Sequence, residues 1–246
     1  MVSLMKYAVI GDIHSNLEAL NAVLEDAKQQ NVDEYVSVGD IVGYNANPRD
    51  CLQKLRDMGC LMVKGNHDHY CSTDTVLNGF NPLAANVIKW TREQISDEEK
   101  QFLSELPYKR RVANFTLVHS TLDMPEKWGY VFDRYEADAN FTYQRTAVCF
   151  YGHTHVPLAF ERDESGDVSQ GRYSKIKIEV GRKYFVNIGS VGQPRDCDPR
   201  ASYGIYDLDK REVELRRIEY DLEKAQAKIL AAGLPKDLAL RLEVGQ

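Results

Sequence analysis

Residues 7–14 read Tyr-Ala-Val-Ile-Gly-Asp-Ile-His, an apolar run that ends at a glycine and leads directly into polar side chains. A run of this length, closed by glycine, predicts a buried β-strand over residues 7–10. Two later runs, at residues 35–38 and 60–63, have the same form and also lead into a glycine followed by a polar residue. These predicted strands provide the frame for the rest of the chain.

Amphipathic segments separate the three strands. Ser15-x-x-Glu18 has the form of a capping box, which predicts the start of a helix. Asn47-Pro48 supplies an N-cap residue and a proline at the first helical position, which predicts the start of a second helix. The order β-α-β-α-β requires right-handed crossovers and predicts a largely parallel sheet, and hence an α/β fold class.

The rest of the chain has a different pattern of predicted helices and strands. Residues 78–106 are predicted to be helical, and residues 112–118 and 147–151 are predicted to be strands. Short alternating runs between Gly, Asp and Asn residues then predict hairpins, which add an α+β-like part to the fold. We expect residues 1–219 to form one domain and residues 220–246 to form a helical tail packed on the same domain.

The composition bounds the class of protein. The 246 residues have 43% hydrophobic and 28% charged side chains, the balance of a globular domain. The net charge of −6 argues against a protein that coats nucleic acid, because such proteins usually carry a basic surplus. Five cysteines, an odd number without a C-x-x-C pair, favour the reducing cytoplasm. No apolar run reaches the roughly 18 residues of a membrane-spanning helix.

Five short polar blocks follow predicted strands and contain five of the six histidines. The blocks are Asp12-Ile-His14, Gly39-Asp40, Gly65-Asn66-His67-Asp68, Val118-His119 and Gly152-His153-Thr154-His155. A single histidine after a strand is usually structural, but open α/β sheets bind ligands at the carboxyl ends of their strands, where these blocks are expected. Asp, Asn and His donors without cysteine suit Mn, Fe, Zn or Ni. Seven such donors are too many for one tetrahedral ion and suffice for two divalent ions that share a carboxylate.

In this order the blocks resemble the calcineurin-like metallophosphoesterase pattern of D-x-H, GD, GNH followed by Asp or Glu, H, and G-H-x-H. The resemblance extends from Asp12 to His155 and implies a four-layer α-β-β-α sandwich. Residues 187–203 resemble small bacterial and archaeal phosphodiesterases and phosphoesterases related to diadenosine tetraphosphatase. The resemblance therefore implies a hydrolase in which a metal-activated hydroxide attacks a phosphodiester or phosphoanhydride bond.

The resemblance also implies a role for each matching residue. The ligands of the first metal ion correspond to Asp12, His14 and His155, and those of the second correspond to Asn66, His119 and His153. Asp40 corresponds to the bridging carboxylate. His67 corresponds to the catalytic histidine that contacts the substrate and assists the leaving group, whereas His69 matches no position of the family.

The second block departs from the Ser/Thr protein phosphatases of this family. Those enzymes read GDxVDRG, and the later Asp orients the catalytic histidine. Here Asp40 is followed by Ile-Val-Gly43-Tyr44-Asn45, so both that Asp and the following Arg are missing. The departure argues against a protein phosphatase and leaves the partner that orients His67 open.

Candidate substrate contacts lie close to these blocks. Tyr44 and Asn45 are either pocket-wall residues or parts of a tight turn. Arg195 lies in a segment rich in Gly and Ser, whose backbone N–H groups are expected to face a phosphate. The guanidinium of Arg195 either binds that phosphate or pairs with Asp196 or Asp198.

Three functions remain open from the residues alone. The first is a small phosphodiesterase or nucleotide phosphohydrolase. The base of its nucleotide substrate would stack on Trp128 or Tyr130, although both aromatic residues are also typical of a core. The second is a nuclease, which the acidic charge balance does not support. The third is a non-catalytic scaffold that has kept the fold. The predicted partner is a small phosphate ester rather than a membrane or nucleic acid, and assembly into a homo-oligomer is left open.

Overall fold

The computed structural model describes residues 5–77 and 81–246, which form two six-stranded mixed β-sheets and their flanking helices. The strands are, in chain order, β1 (Lys6–Ile10), β2 (Glu34–Ser37), β3 (Leu61–Met62), β4 (Lys109–Val112), β5 (Phe115–Val118), β6 (Val148–Tyr151), β7 (Leu158–Arg162), β8 (Val168–Gly171), β9 (Lys175–Lys177), β10 (Lys183–Asn187), β11 (Ala201–Asp207) and β12 (Glu212–Ile218). The helices are α1 (Leu17–Gln29), α2 (Pro48–Asp57), α3 (Asn66–Ser72), α4 (Pro82–Gln94), α5 (Asp97–Glu105), α6 (Arg134–Tyr143), α7 (Leu222–Ala231) and α8 (Lys236–Val244). The helical prediction for residues 78–106 begins at residues that lie outside the described part of the chain.

The first sheet has the strand order β3-β2-β1-β11-β12-β9, and the second has the order β4-β5-β6-β10-β7-β8. In the first sheet β1, β2 and β3 run parallel, as the β-α-β-α-β pattern predicts, and β11 pairs with β1 in the antiparallel direction. In the second sheet β5, β6 and β10 are parallel neighbours. Each sheet therefore has a set of parallel strands whose carboxyl ends share one edge.

Alternation along the strands packs the two sheets face to face. In β1, Tyr7 and Val9 join the core between the sheets, whereas Ala8 and Ile10 join the core formed with α1. The strand β6 alternates in the same way, and its outer face packs against α6. The layers are therefore helix, sheet, sheet, helix, which confirms the four-layer α-β-β-α sandwich.

The start of α1 differs from the prediction. The N-cap is Asn16, whose side-chain oxygen accepts a hydrogen bond from the backbone N–H of Ala19 at 3.1 Å. Ser15 does not head a capping box, because its φ of 60° belongs to the turn that carries His14. The expectation for Ser15 is therefore wrong, although the helix itself is present.

Residues 112–118 were expected to form a single strand, and this is wrong. They contain the turn of the β4–β5 hairpin, whose strands pair antiparallel with Val112 opposite Phe115. The turn includes Ala113 in the left-handed region, with a φ of 46°. The same apolar residues therefore belong to two adjacent strands of the second sheet.

The last two helices form a hairpin that packs near Tyr44. Ile229 of α7 and Leu238 of α8 share a buried cluster with the Tyr44 ring. Lys228 of α7 also donates a hydrogen bond to Glu18 of α1, with 2.6 Å between Nζ and Oε1. The tail thus lies beside the segment that follows β2. Within the described ranges, neither these helices nor any other is long and apolar enough to cross a membrane.

Candidate metal centre

The seven predicted metal ligands follow five strands that belong to both sheets. Asp12 and His14 follow β1, Asp40 follows β2, Asn66 follows β3, His119 follows β5, and His153 and His155 follow β6. Six of these residues are buried and Asn66 is half-buried. The parallel strands of the two sheets thus bring all seven side chains to one edge of the sandwich.

Asp40 joins two groups of potential ligand atoms. The first group is Asp12, His14, Asp40 and His155, and the second is Asp40, His119 and His153, each with its ligand atoms within 4.8 Å of one another. Asn66 adds to the second group, because its Oδ1 lies 3.0 Å from His119 Nε2. The two groups have the division that the resemblance implies, and they share one carboxylate.

In the first group two imidazole lone pairs face each other. His14 Nδ1 lies 3.1 Å from the carbonyl oxygen of Val42, and His155 Nδ1 lies 2.6 Å from that of Gln193. A carbonyl only accepts hydrogen bonds, so both Nδ1 atoms carry the proton and both Nε2 atoms carry a lone pair. The two Nε2 atoms are 3.0 Å apart. Burial lowers the pKa of both imidazoles well below the usual value, so neither is charged, and the arrangement fits a shared cation.

The second group uses its histidines in two different ways. His119 Nδ1 lies 2.9 Å from the carbonyl oxygen of Val38, which leaves Nε2 to face Asp40 Oδ2 at 3.3 Å. His153 is reversed: its Nε2 lies 2.9 Å from the carbonyl oxygen of Trp128, which leaves Nδ1 as the ligand atom. Such hydrogen bonds from the second ring nitrogen fix the tautomer and the orientation of a metal-ligating histidine.

The electrostatics of the site also call for added positive charge. Burial raises the pKa of Asp12 to about 7, against the opposing effect of His119. Burial alone would lower the pKa of His119, but Asp40, Asp12 and the carbonyl group of Val38 together outweigh it and raise that pKa to about 9. Two buried carboxylates in one site require a proton or a cation between them and their neighbours. Divalent ions suit these oxygen and imidazole donors.

The end of β10 and the loop that follows it hold the ligand loops in place. Ser190 Oγ donates to the carbonyl oxygen of Asp12 at 2.7 Å, and the backbone N–H of Gly192 donates to the same oxygen at 2.9 Å. Asn187 Nδ2 donates to the carbonyl oxygen of Gly152 at 2.7 Å. Backbone N–H groups of this segment were expected to face a phosphate. Four of them instead donate hydrogen bonds to other atoms of the protein: those of Gly189, Val191, Gly192 and Gln193. That expectation is wrong for these four groups, and the supporting role of Ser190 and Asn187 was missed.

His67 lies in the first turn of α3 and is positioned by packing. Its backbone N–H donates to Asp40 Oδ1 at 2.8 Å. Its ring centroid is 4.4 Å from that of Tyr44 and 4.8 Å from that of His14. A Cβ atom on Gly43 would collide with Nδ1 of the ring. No carboxylate in the described ranges bonds to the imidazole, so Gly43 and Tyr44 take the place of the missing orienting Asp.

Asp68, next to His67, has a structural position. Its Oδ1 accepts hydrogen bonds from the backbone N–H groups of Ile41 at 2.9 Å and Val42 at 3.2 Å. Its Oδ2 accepts one from the N–H of Gly65 at 3.0 Å. The side chain therefore joins the loop that follows Asp40 to the start of α3, which fixes the position of both.

Tyr44 and Asn45 have different surroundings. The Tyr44 ring lies 4.7 Å from the His14 ring as well as against His67, and only 8% of the residue is exposed. Asn45 Nδ2 donates to the carbonyl oxygen of His14 at 2.8 Å, and its buried Oδ1 has no partner. Asn45 thus supports a ligand loop, whereas Tyr44 forms part of the wall beside His67.

Arg195 is not paired with the neighbouring carboxylates. Asp196 binds Arg217, and Asp198 binds Arg200 with 2.7 Å between Nη2 and Oδ2. The alternative in which Arg195 is held by Asp196 or Asp198 is therefore wrong. Burial lowers the pKa of both His14 and His155. The positive charge of Arg195 lowers both pKa values further, so the guanidinium lies near the first group of donors.

Aromatic residues form a second wall. The Tyr130 ring stacks on His153 with 4.2 Å between centroids, and Phe132 stacks on Tyr130 at 5.5 Å. Both Tyr130 and Phe132 are 50% exposed, so the core role considered for Tyr130 is wrong. Trp128 holds His153 through its carbonyl group, and its ring lies 5.9 Å from that of His69. His69 is therefore a neighbour of the aromatic wall and lies outside both ligand groups.

Comparison with known proteins agrees with this architecture. A protein of Methanocaldococcus jannaschii is 42% identical over 245 residues, which cover 97% of this chain and 98% of that protein. Phosphodiesterase YfcE of Escherichia coli is 28% identical over 206 residues, which cover 84% of this chain and 89% of YfcE. The crystal structure of a metallophosphoesterase from Sphaerobacter thermophilus has 40% identity and a TM-score of 0.89, and the match covers 99% of this chain and 100% of that one. The sequence profile of the calcineurin-like phosphoesterase superfamily domain matches residues 5–211, and the chain therefore belongs to this superfamily.

Proposed function

We propose that the chain hydrolyses a phosphodiester or phosphoanhydride bond of a small nucleotide-like substrate in the cytoplasm, with two divalent transition metal ions as cofactors. The first ion would be held by Asp12, His14 and His155 and the second by Asn66, His119 and His153, with Asp40 shared between the two groups. The observation that carries this proposal is the pair of buried donor groups that share Asp40. Manganese, iron, zinc and nickel all suit these donors.

The reacting groups of the chain surround this centre. When bound, the ions activate a water molecule and neutralise charge on the phosphoryl oxygens. His67 has its Nδ1 buried against Gly43, so Nε2 is the nitrogen left to face the substrate. From there it donates a proton or a hydrogen bond to the leaving oxygen. Arg195 supplies a guanidinium to a non-bridging phosphoryl oxygen.

The aromatic wall supports a nucleotide rather than a simple phosphate ester. Tyr130 and Phe132 are stacked with an angle of 11° between their rings, and half of each residue is exposed. A planar base gains stacking energy on such a surface. Since Tyr130 also stacks on His153, a base placed there would lie beside the second group of proposed ligands.

A substrate panel tests the proposal. Metal-free protein receives Mn, Fe, Zn, Ni or Mg, and turnover is measured on bis-p-nitrophenyl phosphate, p-nitrophenyl phosphate and dinucleoside polyphosphates. We expect metal-dependent hydrolysis of the diester or the polyphosphates and loss of activity in Asp40→Asn. Turnover of the monoester alone would count against the proposal. Bound metal without turnover of any substrate would favour the non-catalytic scaffold.

A further inference from the structure

Two hydrogen bonds tie the segment of residues 193–195 to His155, one of the proposed metal ligands. His155 Nδ1 donates to the carbonyl oxygen of Gln193 at 2.6 Å, and the backbone N–H of Arg195 donates to the carbonyl oxygen of His155 at 3.3 Å. The guanidinium carbon of Arg195 lies 5.6 Å from the centre of the Tyr44 ring, which packs on His67. The backbone of Arg195 is therefore anchored to a proposed ligand, and its side chain reaches the wall beside His67.

The side chain of Gln193 is bonded to Arg195. Arg195 Nη2 donates a hydrogen bond to Gln193 Oε1 at 2.8 Å. A guanidinium only donates hydrogen bonds, so this contact fixes which end of the Gln193 amide faces it. The other end, Nε2, is buried and has no partner in the part of the chain that the structure describes. Because a buried amide with an unmade hydrogen bond costs stability, the contact with Arg195 is the interaction that explains a glutamine at this position.

The carboxylates closest in sequence to Arg195 bind other cations. Asp196 binds Arg217, and Asp198 binds Arg200. Among residues 5–77 and 81–246, no carboxylate forms an ion pair with Arg195. The acceptor that orients its guanidinium is thus a neutral amide, which does not cancel the positive charge. A guanidinium that is both oriented and unpaired suits a phosphate group, which it binds through charge and through N–H donors in a fixed fork.

We propose that Gln193 is a positioning residue, whose amide holds the Arg195 guanidinium ready for the phosphoryl group without neutralising it. This inference rests on the proposed function, in which Arg195 contacts a non-bridging phosphoryl oxygen. A free arginine loses rotamer freedom when phosphate binds, whereas an arginine that is already held loses less. Gln193 is itself fully buried, so it acts on the phosphate through Arg195.

A double-mutant cycle tests this role. The variants are Gln193→Met, Arg195→Met and the combination of both, together with Gln193→Glu, which keeps the shape and the acceptor but adds a charge. The control is Gln144→Met, which removes another buried glutamine at the opposite end of β6 from His153. For each protein we would measure kcat and KM on bis-p-nitrophenyl phosphate, the metal content by mass spectrometry, and the Kd of inorganic phosphate by calorimetry. The added metal is the one that gives the highest turnover, or manganese where none does.

We expect Gln193→Met to raise KM and the Kd of phosphate about threefold to tenfold, which is the effect of ordering one long side chain on binding. Metal content should stay the same, and kcat should change less than KM. Gln193→Glu should weaken phosphate binding further, because its carboxylate pairs with Arg195. In the Arg195→Met background, Gln193→Met should have no additional effect, since the group through which it acts is gone. Gln144→Met should leave KM and the Kd of phosphate unchanged.

Four results overturn the proposal. They are an unchanged Kd of phosphate in Gln193→Met, an equal effect of Gln193→Met with and without Arg195, loss of metal from Gln193→Met, which places the cause at His155, and phosphate binding to the wild type no tighter than to Arg195→Met. If Gln193→Met does not fold, Gln193→Glu decides alone, and phosphate binding as tight as in the wild type counts against the proposal. If the wild type hydrolyses no ester with any metal, the proposed function fails, and the phosphate titrations still decide the role of Gln193.

Discussion

Backbone conformation distinguishes the ligand residues from the rest of the chain. Five of the seven proposed ligands have left-handed φ angles between 47° and 69°: Asp12, His14, Asp40, His153 and His155. Each such residue costs on the order of 1 kcal/mol unless its surroundings impose the conformation. The hydrogen bonds of Ser190 and Gly192 to the carbonyl of Asp12, and that of Asn187 to the carbonyl of Gly152, help to hold the turns at Asp12 and His153. The left-handed turns let two polar side chains of one loop, such as those of Asp12 and His14, face the same candidate metal centre.

His67 is the first residue to test. We expect His67→Ala to leave the metal content unchanged, measured by mass spectrometry, because none of the proposed ligands is removed. Turnover should fall about a hundredfold or more, the usual contribution of general acid catalysis. The loss should be larger for an alkyl diester, which has a poor leaving group, than for bis-p-nitrophenyl phosphate. A wild-type rate on the alkyl diester removes His67 from the mechanism.

Gly43 tests how His67 is positioned. In Gly43→Ala the new Cβ meets the His67 ring, so the ring must shift. We expect kcat to fall roughly tenfold to a hundredfold, because a displacement of about 1 Å has an effect of this size. Gly59→Ala is the matched control: Gly59 also has a left-handed φ of 66°, but its Cβ would meet nothing within 4 Å. An equal loss of turnover in both variants would show that backbone strain, and not the position of His67, is responsible.

The clustering of the proposed ligands could be predicted from the sequence, because the Asp, Asn and His donors are concentrated in five short blocks. Their finer arrangement could not. The reversal of His153 depends on the carbonyl of Trp128, which is 25 residues away in the chain. Arg195 forms no ion pair with Asp196 because Arg217 of β12 binds that carboxylate instead. Both depend on contacts that form only in the complete fold.

At the level of helices and strands, one cluster joins α1 to the first sheet. Asp26 of α1 accepts hydrogen bonds from Arg216 of β12, at 2.8 Å and 3.1 Å, and from the hydroxyl of Tyr203 of β11 at 2.5 Å. Burial acts to raise the pKa of Asp26, but these hydrogen bonds outweigh it and lower the pKa. The cluster therefore stabilises the fold only while Asp26 is ionised.

The pH dependence of stability checks this cluster. A lowered folded-state pKa stabilises the protein above the unfolded value of about 3.9, and this contribution is lost as the pH falls through the folded value. We expect Asp26→Asn to lower the free energy of unfolding by about 1 kcal/mol at pH 7, measured with urea. The difference should shrink below about pH 4. The exposed Asp209→Asn is the control, and a constant difference for Asp26→Asn from pH 7 to pH 3 contradicts the assignment.

Two similar sequence patterns show what local reasoning can decide. Asp133-x-x-Glu136 is a true capping box at the start of α6, a helix that the sequence reading missed. Ser15-x-x-Glu18 has the same form but caps nothing, since Ser15 belongs to the ligand turn and Glu18 binds Lys228 of the tail. The pattern alone cannot separate the two cases. Tertiary contacts decide whether the first residue is free to adopt the extended backbone of an N-cap.

For the whole molecule, the proposed metal ligands come from both sheets. Asp12, His14, Asp40 and Asn66 come from the first sheet, and His119, His153 and His155 come from the second. The first group of donors contains His155 from the other sheet, and the second contains Asp40 and Asn66. Each group of donors therefore joins the two layers at this edge, and an ion held by either group would cross-link them.

Removal of metal tests this cross-link. A ligand present at 100 times its Kd stabilises the folded state by about 2.7 kcal/mol, which corresponds to roughly 5–10 °C in Tm for a chain of this size. We expect the metal-free protein to melt lower by about this amount, as measured by calorimetry. Asp40→Asn should lose most of the increase on metal addition, because both ions lose a ligand. An identical Tm with and without metal speaks against a bridge between the sheets.

The tail hairpin has a further consequence. It makes contact with the body at the Tyr44 cluster, at Glu18 and at Cys197, and it lies beyond the residues that the family profile matches. The proposed metal ligands and the tail hairpin thus occupy separate stretches of the chain. Exchange of residues 220–246 would therefore leave every proposed ligand side chain in place, while it would replace the residues that pack on Tyr44 and bind Glu18.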